Sequence, residues 1–380
     1  VVVMWSSHLY KQDGTKIGRS NLLLEYSIEQ IESVFEINEQ LPSLLTLNHL
    51  SVRTGVSLQQ LKLFVSRKSE DAYTKFSIAK RSGGRRFIKV PAIQLNRVQK
   101  WIHQHILSSV PSHRASYAFI KDKSIKDCAA QHCGARWLIK LDIVNFFESI
   151  SEIQVFHVFN SLGYQPLVSF ELARLCTIAT PDKSPRIRSK NWHAIKKYKA
   201  IAEYDQLLLG YLPQGAPSSP LLSNLVMRSC DNKLSNIAKT YGLKYTRYSD
   251  DITFSSCSLE FSRNTAKEVI KETNKVLSKQ GYLPHFKKAK VVPVGAKKIV
   301  LGLNVDGATP RLQKEFKDRI RQHLYYLKKV GPVEHVLERG FDSIWGFKSH
   351  LRGLIDYAKM IEPQYAERML KEFNSIEWPF

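Results

Sequence analysis

The stretch Leu243-Lys244-Tyr245-Thr246-Arg247-Tyr248-Ser249-Asp250-Asp251-Ile252-Thr253-Phe254 decides the reading of this chain. Two adjacent carboxylates sit between two short runs rich in aromatic and apolar residues. The pattern predicts a β-hairpin with an acidic tip. Adjacent aspartates at a turn repel each other and are costly unless a cation neutralises them. An Asp-Asp pair alone is most often a solvated turn. A third carboxylate shifts the balance: Asp142, far upstream in Trp137-Leu138-Ile139-Lys140-Leu141-Asp142-Ile143. An apolar run ending on Asp predicts a buried strand that carries a carboxylate to its exposed end. Three hard oxygen ligands at strand ends suit two Mg2+ ions in a phosphoryl-transfer site.

The 380 residues allow two or three subdomains around a continuous core. Charge is the unusual feature: 57 Lys and Arg against 34 Asp and Glu give +23. Such an excess, spread along the chain, points to a polyanionic partner. Five cysteines without a CxxC pair argue for a reducing compartment and against a disulfide framework or structural zinc. No apolar run reaches transmembrane length. The expected location is the cytoplasm, with no membrane partner.

Residues 25–67 read as mostly helical, with a break at Thr54-Gly55-Val56-Ser57 where Gly55 ends one helix and Ser57 caps the next. Both a small helix-turn-helix and a plain packed helical hairpin fit this pattern. Residues 73–91 alternate as a hairpin around Arg81-Ser82-Gly83-Gly84-Arg85-Arg86. A helix follows with Ile93, Leu95, Val98, Trp101, Ile102 and Ile106 near one face. Residues 183–199 carry seven basic residues and no acidic one, with Trp192 and Tyr198 interleaved. That composition suits either a nucleic-acid surface with stacking rings or a solvated loop. Leu212-Pro213-Gln214-Gly215-Ala216-Pro217-Ser218-Ser219-Pro220 is a rigid small-residue loop that lets a flat ligand approach the backbone. A helix over 311–329 places Phe316, Ile320, Leu324 and Leu327 on one face and leaves Lys317, Arg321 and Lys328 on others. The tail from Trp345 onward reads as helical.

The order of these motifs resembles the reverse transcriptases, most closely the retron-type bacterial branch. The motifs are a basic Gly-Gly hairpin, strand-Asp-x-x-x-Phe-Phe, Leu-Pro-Gln-Gly-x-Pro-x-Ser-Pro, Tyr-x-Asp-Asp, Lys-Lys and Leu-Gly-Leu. The resemblance runs from about Leu44 to about Asp356. It implies an α+β right-hand polymerase fold. A helical N-terminal extension would cover 1–70, fingers 71–135, palm 136–310 with a basic insertion at about 178–207, and thumb 311–380. Retron enzymes usually carry Val-Thr-Gly where this chain has Val300-Leu301-Gly302, and the insertion is longer than their common link. These departures leave the related defence-associated reverse transcriptases open.

The resemblance also implies roles. Asp142 and Asp250 match the carboxylates that bridge two Mg2+ ions, with Mn2+ as a substitute, and the Ile143 carbonyl is a further ligand. Asp251 matches the family's second Asp, whose direct contact with metal stays open. Phe147 matches the aromatic steric gate, with Phe146 taking the core place. Gln214 resembles the residue touching nucleotide and template. Arg86, with Lys80 and Arg85, resembles the triphosphate clamp, guanidinium suiting phosphate by bidentate binding. Lys288 resembles the lysine proposed to protonate pyrophosphate, an assignment that leaves Lys287 and Lys290 open. Leu301-Gly302-Leu303 resembles the primer grip. Lys190, Trp192, Lys196, Lys197, Lys199, Lys317, Arg321 and Lys328 are the candidate nucleic-acid contacts. The expected activity is RNA-directed DNA synthesis on a dedicated structured non-coding RNA, from dNTPs, with RNA-linked DNA as product. The implied setting is anti-phage defence in a bacterium with a separate effector protein. The alternatives are a defence enzyme of repetitive or untemplated synthesis, and an inactive RNA-binding scaffold.

Overall fold

A computed structural model describes residues 5–69, 71–79, 83–179 and 209–380. Lys80, Lys190, Trp192, Lys196, Lys197 and Lys199 lie outside the described residues. The chain opens with helices α1 (Ser7–Lys16), α2 (Asn21–Ile37), α3 (Leu47–Thr54) and α4 (Leu58–Val65). Strands β1 (Tyr73–Ala79) and β2 (Arg85–Pro91) precede α5 (Ile93–His105), α6 (Ile125–Ala130) and β3 (Trp137–Asp142). Helices α7 (Phe146–Ser149), α8 (Glu152–Ser161) and α9 (Pro166–Cys176) lead to β4 (Ile178–Ala179) and β5 (Gly210–Tyr211). Next come α10 (Ser219–Thr240), β6 (Lys244–Tyr248), β7 (Asp251–Ser256) and α11 (Arg263–Lys279). Short strands β8 (Lys290–Val292), β9 (Ile299–Val300), β10 (Leu303–Asn304) and β11 (Arg311–Leu312) follow. The chain closes with α12 (Lys314–Val330), α13 (Pro332–Glu338), α14 (Ile344–Ile361) and α15 (Pro363–Asn374).

These elements group into two compact units. The first takes residues up to 120, 143–233 and 274–284. Its helical start follows its caps: Thr46 and Ser57 accept from His49 N and Gln60 N, and Gly55 ends α3 at φ 66°. Strands β1 and β2 pair antiparallel from Tyr73↔Pro91 to Ala79↔Arg85. Helix α5 buries Leu95, Val98 and Ile102, but Ile93 is 89% exposed, against expectation. Ile93 is the first helical residue, and its side chain leans back beyond the packed turns.

A buried ion network holds the middle of this unit. Glu152 pairs with Arg67 and with Arg174 Nε at 2.6 Å. It also accepts from Thr177 Oγ1 at 3.3 Å and from Gly210 N at 2.8 Å. One carboxylate thereby ties the residue before β4 to the first residue of β5. A Cβ on Gly210 would run into Arg67 Nη2, Glu152 Oε2 and Thr177 Oγ1, so a larger residue there would displace members of this network. Removing one member of a buried pair leaves charge uncompensated. Glu152→Ala is expected to cost about 3–5 kcal/mol, read as a lower denaturant midpoint.

The second unit takes residues 121–142, 234–273 and 285–380. Its four-stranded sheet has the order β6-β7-β3-β8, with β3 antiparallel to both neighbours. A three-stranded sheet of order β11-β10-β9 lies in the same unit. The core joins Leu138, Val300 and Leu303 to Ile320, Leu324 and Leu327 of α12 and to Phe347 and Leu351 of α14. The expected apolar face of α12 is therefore buried. Its expected start is corrected: residues 311–312 form β11, paired Leu303↔Leu312 and Asn304↔Arg311, and the helix begins at Lys314. Leu312 N donates to Glu362 Oε1 at 2.8 Å, which holds the segment extended. The Leu301-Gly302 turn joins β9 to β10 with both residues at positive φ, 48° and 82°, the geometry of a tight hairpin turn.

Candidate active site

The second unit gathers Asp142, Asp250, Asp251 and Lys288. In register, Asp142 at the end of β3 faces Asp251 at the start of β7. Tyr248 pairs with Asp251, so Ser249-Asp250 is a two-residue turn, with Ser249 at φ 58°. The hairpin with an acidic tip is thus present. Arg247, fully buried in β6, donates to the Ser249 carbonyl at 3.1 Å and braces this turn. The His132 ring is 2.7 Å from Ser255 Oγ and 2.7 Å from Thr246 Oγ1, linking β7 to β6. Burial pushes its pKa down to about 4, so it serves as a neutral spacer at pH 7. Neither residue stands out in the sequence beyond one signal, a charged residue inside a strand flanked by threonine and tyrosine.

Lys288 Nζ lies 2.9 Å from Asp142 Oδ2. A 3-10 turn over Phe286–Lys288 is anchored by His285 N, which donates to the Asp142 carbonyl at 2.8 Å. Among the three nearby lysines, geometry therefore puts Lys288 on Asp142, while Lys290 pairs with Lys140 across β8 and β3. Burial first, then the charge of Asp250, pushes Asp251 up to about 6, partly offset by Lys140. Burial and Asp142 likewise raise Asp250. Among the described residues no three His, Cys, Asp or Glu side chains form a ready metal cage. The donor set is nonetheless all hard oxygen, its members repel one another, and a lysine ammonium already serves as a counter-cation. That chemistry fits a hard divalent ion.

The first unit holds Arg85, Arg86, Ile143, Phe147 and Gln214. Asn145 at φ 50° turns the chain into α7. Phe146 is buried, 4% exposed, whereas Phe147 is half-buried with its ring 6.0 Å from that of Phe119. Phe146 thus takes the core place expected of it. Ile143 is buried and bridges to Pro284, and the adjoining hydrogen bond runs from Val144 N to Leu283 O. Gln214 is half-buried, and its carbonyl accepts from Lys89 N at 2.8 Å. Gly215 sits at φ 114°, where a Cβ would meet Ile88 Cγ2 at 2.8 Å. Arg85 and Arg86 are consecutive exposed residues of β2 and so face opposite sides of the hairpin. They cannot clamp from one face together. Arg85 Nε donates to Ser77 Oγ at 2.7 Å.

Of the three basic residues expected to be available on α12, Lys317 is engaged within the protein. Lys317 Nζ is paired with Glu362 at 2.6 Å and lies over the Tyr365 ring. Arg321 pairs with Asp318, and Lys328 with Glu372 at 3.0 Å. The last two are exposed surface pairs, of little strength.

A family model for reverse transcriptase (RNA-dependent DNA polymerase) matches residues 78–305. Retron Mx65 reverse transcriptase of Myxococcus xanthus is 30% identical over 325 residues, 85% of this chain and 69% of that protein. Retron Ec86 reverse transcriptase of Escherichia coli is 29% identical over 345 residues, 88% of this chain and 95% of that protein. A solved structure of telomerase from Candida albicans is similar with a TM-score of 0.43 and 12% identity, covering 80% of this chain and 64% of that chain. The chain belongs to the reverse transcriptases, enzymes of the right-hand polymerase fold, and within them to the retron type. It is an RNA-directed DNA polymerase. Enzymes of this family use divalent metal ions and an RNA template. No helix among the described residues is long and apolar enough to cross a membrane.

Proposed function

We propose that this polymerase copies a dedicated structured non-coding RNA, starting from a 2′-OH of that RNA and leaving DNA joined to it. The work takes place in the bacterial cytoplasm, and the product serves anti-phage defence with a separate effector protein. Retron relatives spanning most of the chain support this reading. The observation that carries the chemistry is Asp142 opposite Asp251, with Asp250 in the adjoining turn.

Asp142 and Asp250, with the Ile143 carbonyl and Asp251 nearby in sequence, are the residues that would hold two Mg2+ ions, or Mn2+. When bound, these ions lower the pKa of the attacking hydroxyl and neutralise the triphosphate and leaving pyrophosphate. Lys288 hands a proton to the pyrophosphate oxygen. Arg86 grips the triphosphate from one face of the β1–β2 hairpin, with Lys80 also in the clamp; Arg85 serves the other face. Phe147 lies against the sugar and excludes a 2′-OH. Gln214 contacts nucleotide and template. The 301–303 hairpin steadies the primer strand. Lys190, Trp192, Lys196, Lys197 and Lys199 bind the cognate RNA, and Arg321 and Lys328 the duplex backbone.

Sequencing the nucleic acid that co-purifies with the protein tests this reading. The expected result is one RNA species joined through a 2′ branch to complementary DNA. Tandem repeats of one short template without a branch, or RNA with no DNA, would overturn it.

A further inference from the structure

Lys89 sits inside β2 and is 7% exposed. Its ammonium is 2.8 Å from Glu148 Oε1 and lies over the Tyr211 ring, 4.8 Å from the centroid. Its backbone N–H donates to the Gln214 carbonyl at 2.8 Å. One residue therefore joins three segments: β2 with its arginines, α7 with Phe147, and the Tyr211–Gln214 loop. The contact with the loop is close enough that a Cβ on Gly215 would fall 3.0 Å from the Lys89 carbonyl.

Packing alone does not call for lysine here. Burying an ammonium is costly unless it is paired, and an apolar residue would fill the space more cheaply. Burial pulls the lysine's pKa down, but Glu148 and Tyr211 outweigh it and hold the group above its usual range. Helix α7 is a single turn, Phe146–Ser149, too short to hold its own orientation by a hydrogen-bond ladder. Tethers must hold it: buried Phe146 is one, and the Glu148 pair is another.

We propose that Lys89 is a positioning residue for the incoming deoxynucleotide, fixing Phe147 through Glu148 and Gln214 through its backbone in one frame with β2. This rests on the reading that gives Phe147, Gln214 and the β2 arginines to the nucleotide. The pair acts through its neighbours and touches no reacting atom.

The deciding variant is Lys89→Met with Glu148→Leu, which removes both charges together and is often neutral for stability. Single-nucleotide incorporation on a primed RNA gives kcat, the KM for dNTP and the dNTP-to-rNTP preference. The expected result is a KM raised about tenfold, a preference reduced about tenfold and a kcat within about threefold of wild type, at an unchanged denaturant midpoint. A KM and preference within about twofold of wild type overturn the proposal, as does a fall in kcat that merely follows a fall in midpoint. If the double variant does not fold, Lys89→Arg decides, since it keeps the charge and changes the reach. There a raised KM with weakened preference supports the role, and wild-type values end it. Phe147→Ala and Gln214→Ala run alongside. If neither alters KM or preference, the nucleotide reading itself fails; if they do and the Lys89 variants do not, only the role of Lys89 fails.

Discussion

Asp250→Asn is expected to lower dNTP incorporation by about a thousandfold or more while leaving the protein folded and able to bind RNA. Asparagine keeps the shape of the side chain and a carbonyl acceptor but not the charge that a hard cation needs. Fold and chemistry should separate cleanly at this position. The turn is held by the β6–β7 pairing and by Arg247, neither of which depends on the Asp250 carboxylate. Three carboxylates crowd here, and burial together with Asp142 already disfavours a charge on Asp250. Removing one relieves repulsion, so the denaturant midpoint should stay level or rise slightly. Primer extension and RNA binding are measured on the same preparation. Extension near the wild-type rate would end the assignment of Asp250 to the metal-binding set. A collapse of the midpoint would show that the turn, rather than the charge, is what matters.

The elements that decided the fold were legible because their signals are local. The β6–β7 hairpin announces itself in a two-residue turn between alternating runs, and β3 in an apolar run ending on Asp142. Helices α3 and α4 are delimited by Thr46, Gly55 and Ser57 within a dozen residues. The opposite facing of Arg85 and Arg86 was available from strand periodicity alone. What stayed hidden depends on partners distant in the chain. Lys89 meets Glu148 across 59 positions, and Arg67 meets Glu152 across 85. No pattern in either neighbourhood names the partner. The same holds for Lys317, whose helical face was readable but whose neutralisation by Glu362 required the packing of α15's approach on α12. Strand β11 looks like the start of a helix in sequence because its pairing with β10 leaves no mark on residues 311–312 themselves.

Phe147→Ala is expected to weaken the preference for dNTP over rNTP by about ten- to a hundredfold, the range a single steric contact supplies. The ring is half-buried and rests near Phe119, so it has one side packed and one side available to a ligand. Truncating it removes a half-buried ring without emptying the core. Phe146 gives the contrast. It is buried beside Tyr282, and Phe146→Ala should cost about 3–5 kcal/mol of stability through the cavity it leaves. That loss should come with little change in sugar preference among the molecules that remain folded. Incorporation of dNTP and rNTP by each variant, set beside its denaturant midpoint, separates the two rings. A preference that moves with Phe146 and not with Phe147 would exchange their roles. A preference that moves with neither would place sugar selection outside α7, and the short helix would then be a packing element whose exposed ring has no part in choosing the nucleotide.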